Sequence, residues 1–266
     1  MNYEDQNTEM SSTSEQKEEK QLRNDIIEGR NAVIEALRAG RAIDKIYLAK
    51  GDTDKALGHI ASKARAAGTV VVETERRKLD QMSYTGAHQG VIAVCAVREY
   101  CSIDDILDIA RQRGEDPFVI ICDEISDPHN LGAIIRSAEC AGAHGIIIPK
   151  RRSAGVTAIV GKASAGAAEY MAVARVPNIT AAIKELKKEG LWIYGTAADG
   201  QSPLWKTNFS GPIGLVIGSE GDGMGRLVAE NCDVTVSIPM KGKVSSLNAS
   251  AAATILMYEV LHQRMN

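Results

Sequence analysis

The sequence predicts an α/β protein built from two α/β domains, and three observations predict it. Short β-branched runs alternate with helical patterns near the N-terminus, as in "IDKIYLAK", "TVVVET" and "GVIAVCAV". Later runs such as "FVIICDEI" and "IGLVIGS" are apolar at successive positions, the mark of a parallel sheet covered by helices on both sides. Three of the later segments, "DEISDPHNLGAIIRSA", "VIGSEGDGMG" and "SSLNASAAATILMYEV", carry polar or glycine-rich turns of the kind where an α/β fold places its chemistry.

Taken in order, residues 1–21 contain almost no aliphatic side chain and are rich in Ser, Thr, Glu and Gln. Such a stretch cannot bury enough apolar surface to offset its ordering entropy, so a disordered acidic tail is expected. Residues 22–98 form the first domain. "NDIIEGRNAVIEALRAG" places Ile26, Ile27, Ala32, Val33, Ala36 and Leu37 in a partly helical pattern closed by Gly40. A strand, a helix over Asp54–Ala67 and two further strands follow, with the basic cluster Arg76, Arg77 and Lys78 read as either a solvated turn or a phosphate contact. Residues 99–116, "SIDDILDIARQRGED" among them, read as a linker with one amphipathic helix. Residues 117–266 form the second domain, with strands at "FVIICDEI", "GIIIP", "LWIYGTA", "IGLVIGS" and "VTVSIP" and helices over Leu131–Ala141, Thr180–Lys188 and Leu247–Gln263.

Composition sets outer limits. The 266 residues are 44% hydrophobic and 24% charged, enough for domains with real cores. No apolar run reaches membrane-span length, and the acidic N-terminus does not read as a secretory signal, so a cytoplasmic protein with no membrane partner is expected. Cys95, Cys101, Cys122, Cys140 and Cys232 are scattered, with no C-x-x-C pair and no histidine at zinc-ligand spacing. They read as buried reduced thiols, and no metal is expected. The formal charge of −3 does not exclude a nucleic-acid partner. The first twenty residues hold six acids and two bases, a net of −4, which leaves +1 for the remainder.

In the first turn, Asp127 suits a helix N-cap and Pro128 the first helical position. Leu131, Ile134, Ile135 and Ala138 make the apolar face of the helix that follows. That leaves Asn130 in the first turn, where free N–H groups favour anions, and Arg136 pointing elsewhere, as a solvated arginine ordinarily does. His129 reads as a turn residue. The second turn is rich in glycine but matches neither a dinucleotide fingerprint nor a phosphate loop, and Glu220 in its middle suits an arginine or a ribose hydroxyl better than a phosphate. The third carries Ser245, Ser246 and Asn248 at a helix start, with capping to account for one of the serines. Ala249, Ala252, Ala253 and Leu256 then form a small-residue face suited to a helix–helix or subunit contact.

Together, "DPHNLGAIIRSA", "VIGSEGDGMG" and "IPMKGKVSSLNASAAATILMYE" resemble, in order and spacing, the three motifs of the SpoU branch of the SPOUT RNA methyltransferases. "IEGRNAVIEAL" and "HQGVIA" look like the N-terminal RNA-binding domain, similar to ribosomal protein L30e, of members that methylate a guanosine ribose in 23S rRNA. The resemblance implies a SPOUT-type α/β domain with a C-terminal trefoil knot, a homodimer with its active site at the subunit interface, and S-adenosylmethionine-dependent 2′-O-methylation of structured RNA. It assigns the methyl donor to Gly218, Ile238 and Leu247, with Thr196 and Ala197 as further candidates. It assigns the chemistry to Arg136, surrounded by Asn130, Glu220, Ser246 and Asn248.

A ribose hydroxyl is a poor nucleophile, so its proton must be drawn off as it attacks. A guanidinium is effectively always protonated, which makes arginine an awkward base. The expectation is therefore that Arg136, oriented by Glu220, holds an RNA phosphate and stabilises the developing alkoxide while a phosphate oxygen or another group takes the proton; Asn130 positions the ribose or Arg136, and Ser246 and Asn248 hold the backbone of the site. Lys150, Arg151, Arg152, Lys241 and Lys243 beside the motif loops read as either phosphate contacts or solubility charges. Two other classes compete: a non-catalytic RNA-binding or assembly protein, which need not have kept Asn130, Arg136, Glu220 and Asn248 together, and a dinucleotide-dependent oxidoreductase, which lacks the glycine fingerprint. Within the enzyme class, tRNA is the alternative substrate, and the N-terminal domain argues for 23S rRNA.

Overall fold

A computed structural model describes residues 26–51 and 54–266. The expected acidic tail over residues 1–21, and the start of the first domain at Leu22, lie outside the described residues. The chain divides into two compact units between Val97 and Arg98. Among the described residues no helix is long and apolar enough to cross a membrane.

The first unit runs β1 (Ile26–Glu28), α1 (Arg30–Arg38), β2 (Ile43–Ala49), α2 (Lys55–Ala66), β3 (Val70–Thr74), α3 (Arg76–Met82) and β4 (Val91–Cys95). Its sheet has the order β1-β4-β2-β3, antiparallel except for β2 with β3. Ile26 and Ile27, expected within a helical pattern, are instead strand residues paired with Val94 and Ala93. Gly29, at φ 89°, separates the strand from α1 through a backbone conformation that side chains disfavour. Arg76, Arg77 and Lys78 form the exposed first turn of α3 rather than a loop. The core gathers Val33, Ile46, Ile60, Ala64, Val91 and Ala93.

The second unit opens with α4 (Ile103–Arg113), then β5 (Phe118–Cys122), α5 (Pro128–Cys140), β6 (Gly145–Pro149), α6 (Ala158–Ala163) and β7 (Val173–Val176). It continues with α7 (Ile179–Lys188), β8 (Trp192–Thr196), β9 (Ser202–Pro203), β10 (Ile213–Ile217), α8 (Arg226–Ala229), β11 (Val234–Ser237) and α9 (Ala249–Met265). The segment expected as a linker is part of this unit. Ser102 and Asp105 form a capping box at the start of α4, and Gly114 ends it in the left-handed conformation. Ile103, Ile106 and Leu107 then pack into the same core as Val119, Ile147 and Leu186.

All seven strands of this sheet pair in parallel, in the order β7-β6-β5-β10-β8-β11-β9. Every residue of β5, β6 and β10 is buried, as expected for strands covered on both faces. From β5 the chain steps to β6 and β7 on one side, whereas β10 leads to β11 on the other. The crevice at the carboxyl ends of β5 and β10 is therefore the topological switch point, the position where such sheets bind ligands. The small-residue face of α9 is used inside the chain: Ala249, Ala253 and Leu256 are buried, and Thr254 meets Ser137 of α5 at 2.7 Å between hydroxyl oxygens. Among the five free cysteines, Cys95 and Cys122 are buried and Cys140 is exposed, so the expected burial holds for only part of the set.

Candidate active site at the switch point

The loop after β10 is built by close backbone approach. Gly218 leaves no room for a side chain against Gly223 and Met224. Ser219 and Gly223 each donate their N–H to the other's carbonyl, at 2.9 and 3.1 Å. The turn is fastened to the neighbouring strand by Asp123, just past β5, whose Oδ2 accepts from the Gly225 N–H at 2.8 Å. Burial raises the Asp123 pKa above the ordinary carboxylate value; the Gly225 bond opposes this, and the charge of Glu124 adds to it.

The loop after β5 follows its sequence pattern. Asp127 caps α5 by accepting from His129 N–H at 2.9 Å, with Pro128 at the helix start, and this puts Asn130 in the first turn, buried. At the third turn the cap is Asn248 rather than a serine, its Oδ1 accepting from the Ser250 and Ala251 N–H groups at 3.0 and 3.2 Å. Ser245 and Ser246 are exposed.

Three predicted residues meet. Glu220 Oε1 accepts from Asn130 Nδ2 at 3.1 Å, from the Ala249 N–H at 3.3 Å and from Asn248 Nδ2. Asn248 Nδ2 also donates to Asn130 Oδ1 at 2.9 Å. Glu220 Oε2 has no partner among the described residues. The N-cap amide of α9, the first turn of α5 and the glycine loop are thus tied through one carboxylate oxygen.

Arg136 does not join them. It is exposed, with no hydrogen-bond or ion-pair partner among the described residues, so the expected pairing with Glu220 is absent within one chain. The cause is helical spacing: six residues beyond Asn130 is a rotation of about 240° around α5, onto another face.

Beside the three-residue cluster lies a cleft of about 550 Å³. Its walls include all five residues expected to hold the methyl donor, Thr196, Ala197, Gly218, Ile238 and Leu247, together with Glu220 and Ser246. Sequence reasoning did not single out Asp199, Asp222 and Met240, which also line it. The available signal for Asp199 was an acid just beyond the end of β8. Among the described residues, no group of three or more His, Cys, Asp or Glu side chains is arranged to hold a metal.

A family model described as "SpoU rRNA Methylase family" matches residues 117–258, and one described as "RNA 2'-O ribose methyltransferase substrate binding" matches residues 26–101. The chain is 47% identical over 240 residues to the "Putative TrmH family tRNA/rRNA methyltransferase YacO" of Bacillus subtilis, covering 90% of this chain and 96% of that protein. It is 44% identical over 241 residues to an uncharacterized tRNA/rRNA methyltransferase of Synechocystis, covering 90% of this chain and 63% of that one. Among solved structures, the SpoU methyltransferase AviRb from Streptomyces viridochromogenes, in complex with AdoMet, aligns with a TM-score of 0.58 at 26% identity over 91% of this chain and 90% of that one. An AdoMet-bound rRNA methyltransferase from Sinorhizobium meliloti aligns with a TM-score of 0.57 at 25% identity, covering 89% and 86%.

Proposed function

The chain belongs to the SpoU rRNA methylase family, and from that membership we propose that it transfers a methyl group from S-adenosylmethionine to a ribose 2′-hydroxyl of structured RNA, a guanosine of 23S rRNA in the cytoplasm. The observation that carries the proposal is the Asn130–Glu220–Asn248 cluster at the lip of a cleft formed by the loops at the switch point.

The cleft suits the donor. Its volume falls in the range of small-molecule sites. Ala197, Ile238 and Leu247 offer small and apolar surface to a flat base, Gly218 brings backbone close, and Asp199, Glu220 and Asp222 are acids of the sign that cationic groups of the donor would favour. When bound, S-adenosylmethionine supplies a methyl group already activated on a positively charged sulfur, so the chain's own residues need only bind, orient and manage a proton. Asn130, its amide fixed at both ends by Glu220 and Asn248, is held to orient the ribose. Glu220 Oε2 is the free acceptor for a sugar hydroxyl. Ser246, exposed on the cleft wall, offers its hydroxyl to the donor or the RNA.

Arg136 enters this reading through a homodimer. An arginine that cannot reach Glu220 in its own chain is accounted for if the active site lies at a subunit interface and the corresponding arginine of a second copy approaches the cluster, binding an RNA phosphate and stabilising the alkoxide while a phosphate oxygen takes the proton. The outward stripe of α9, with Ile255 38% and Tyr258 47% exposed, is apolar surface suited to such a copy. The C-terminal trefoil knot belongs to the same reading, as does the choice of 23S rRNA, which rests on the N-terminal unit.

The test is transfer of labelled methyl from S-adenosylmethionine to unmodified 23S rRNA, 16S rRNA and tRNA, followed by mapping of ribose methylation. Label on one guanosine ribose of 23S rRNA is expected. Label on tRNA alone would refute the substrate assignment and keep the enzyme class, and no label despite donor binding would leave an RNA-binding protein without turnover.

A further inference from the structure

Three consecutive cations, Lys150, Arg151 and Arg152, follow β6 at the carboxyl edge of the sheet, and the proposed reaction does not use them. β6 pairs with β5, which pairs with β10, so this loop leaves the sheet one strand over, about 4.8 Å away, from the strand that leads to Asn130. The two loops are tied together: the Ile125 carbonyl accepts from the Ala154 N–H at 2.8 Å and from Ser153 Oγ at 3.1 Å, Ser153 being buried. From the other side, the Lys150 N–H donates to the Val176 carbonyl at 2.8 Å, and Arg175 donates to the Lys150 carbonyl at 3.2 Å.

The backbone of this pair of loops is held in an unfavourable form. Arg152 has φ 56° and Glu124 φ 58°, the left-handed region that favours glycine, and their side chains form an ion pair at 3.0 Å. The arrangement neutralises one of the three cations. Lys150 and Arg151 have no ion-pair partner among the described residues.

We propose that the 150–152 loop is a phosphate-binding rail for the RNA strand flanking the target nucleotide, with Lys150 and Arg151 as its contacts and Glu124 holding Arg152 back. The inference rests on the RNA methyltransferase reading and names where the strand lies. Contacts of this kind fix register without reading bases, which is what a site that must align a single ribose needs. An RNA is favoured over an acidic protein because the loop is fastened to the segment that carries Asn130.

The experiment measures binding of the full chain to an in vitro transcribed 23S rRNA across a potassium chloride series, with S-adenosylmethionine affinity measured in parallel by calorimetry. For the double variant Lys150→Gln/Arg151→Gln, the slope of log K against log salt is expected to shrink by about 0.7 to 0.9 for each lost phosphate contact, with donor affinity unchanged. Glu124→Gln, which frees the charge of Arg152, is expected to steepen the slope and tighten binding, a direction that a purely structural loop would not produce. If the wild type methylates the RNA and the double variant keeps the wild-type slope, the rail is overturned and the enzyme reading stands. If the wild type neither binds donor nor methylates any RNA, both fall. Unchanged RNA binding with loss of affinity for an acidic protein would transfer the loop to a protein partner and also overturn the proposal.

Discussion

Replacing Gly218 with alanine tests whether the cleft wall depends on close backbone approach. The added methyl carbon would stand 2.3 Å from Gly223 C, 2.4 Å from Met224 N and 2.6 Å from Gly223 O. All three are backbone atoms, so no rotamer change can relieve the overlap and the 219–223 turn must move. The bonds that oppose this movement are the mutual pair between Ser219 and Gly223, worth about 1 kcal/mol each when well formed. Gly221 and Asp222 at the tip are exposed, so the displaced turn is rehydrated and recovers part of that loss. A net destabilisation of about 1 to 2 kcal/mol follows, within the range of overpacking effects, or a fall in Tm of roughly 2 to 8 °C for a unit of this size. Donor affinity should fall by roughly five- to thirtyfold, because binding must restore the turn at about 1.4 kcal/mol per factor of ten. Thermal melts and calorimetric titration with S-adenosylmethionine measure the two quantities. Gly221→Ala is the control: nothing lies within 4 Å of its added carbon, and it should leave both unchanged. Wild-type donor affinity in Gly218→Ala, or equal damage from Gly221→Ala, would refute the reasoning.

Other predictions follow from the same geometry. Arg136→Ala and Asn130→Ala should each be inactive alone, yet mixing them as dissociated and reassociated dimers should restore about a quarter of wild-type turnover, since half the dimers are mixed and each has one intact site. No recovery on mixing would place both residues in one chain's site. Glu220→Ala strips the acceptor from Asn130, Asn248 and the Ala249 N–H, and should lower stability by about 1 to 3 kcal/mol while reducing turnover at least a hundredfold; a variant that melts early but turns over normally would show the cluster to be structural. His144 accepts from the Phe118 N–H at 2.9 Å through Nδ1, so its proton sits on Nε2, toward Glu115 Oε2 at 3.0 Å. Burial holds its pKa below the ordinary imidazole value, partly opposed by the Glu115 hydrogen bond. A depressed imidazole pKa gives stability that is full above about 6.5 and is lost as pH falls from there through the folded value. His144→Asn, whose amide oxygen can replace Nδ1, should flatten the Tm profile in that window, and a wild-type profile in the variant would exclude His144 as its source.

The parallel sheet was legible because β5, β6 and β10 are apolar at every position, and α5 because Asp127 and Pro128 announce its start. What failed to show were elements too short for a period to register: β7, four residues with Arg175 among them, and α6, six residues interrupted by Gly161. The α4 helix was visible from its amphipathic pattern, but such a pattern reports that a core exists, not which one. Only packing of Ile106 and Leu107 with Val119 and Ile147 assigns it to the second unit. Asn248 was visible as a polar residue at a helix start, and its role as the cap came from where its two donors point.

The site itself has a different kind of origin. Asn130, Glu220 and Asn248 are spread over nearly half the chain, and no local pattern says that they touch. They touch because β10 inserts beside β5 in register, Ile217 opposite Cys122, which brings the glycine loop level with the loop that starts α5. Asp123 then fastens the two across that register through Gly225, and α9 starts where its capping amide can reach Glu220 Oε1, the oxygen that also accepts from Asn130. A single acceptor shared by three donors makes the arrangement sensitive to any one of its elements shifting. The spacing from Asn130 to Arg136 follows the opposite logic: it was readable in the sequence as a turn to another face of the helix, and it is the reason the structure of one chain leaves that arginine facing outward, available to a second copy.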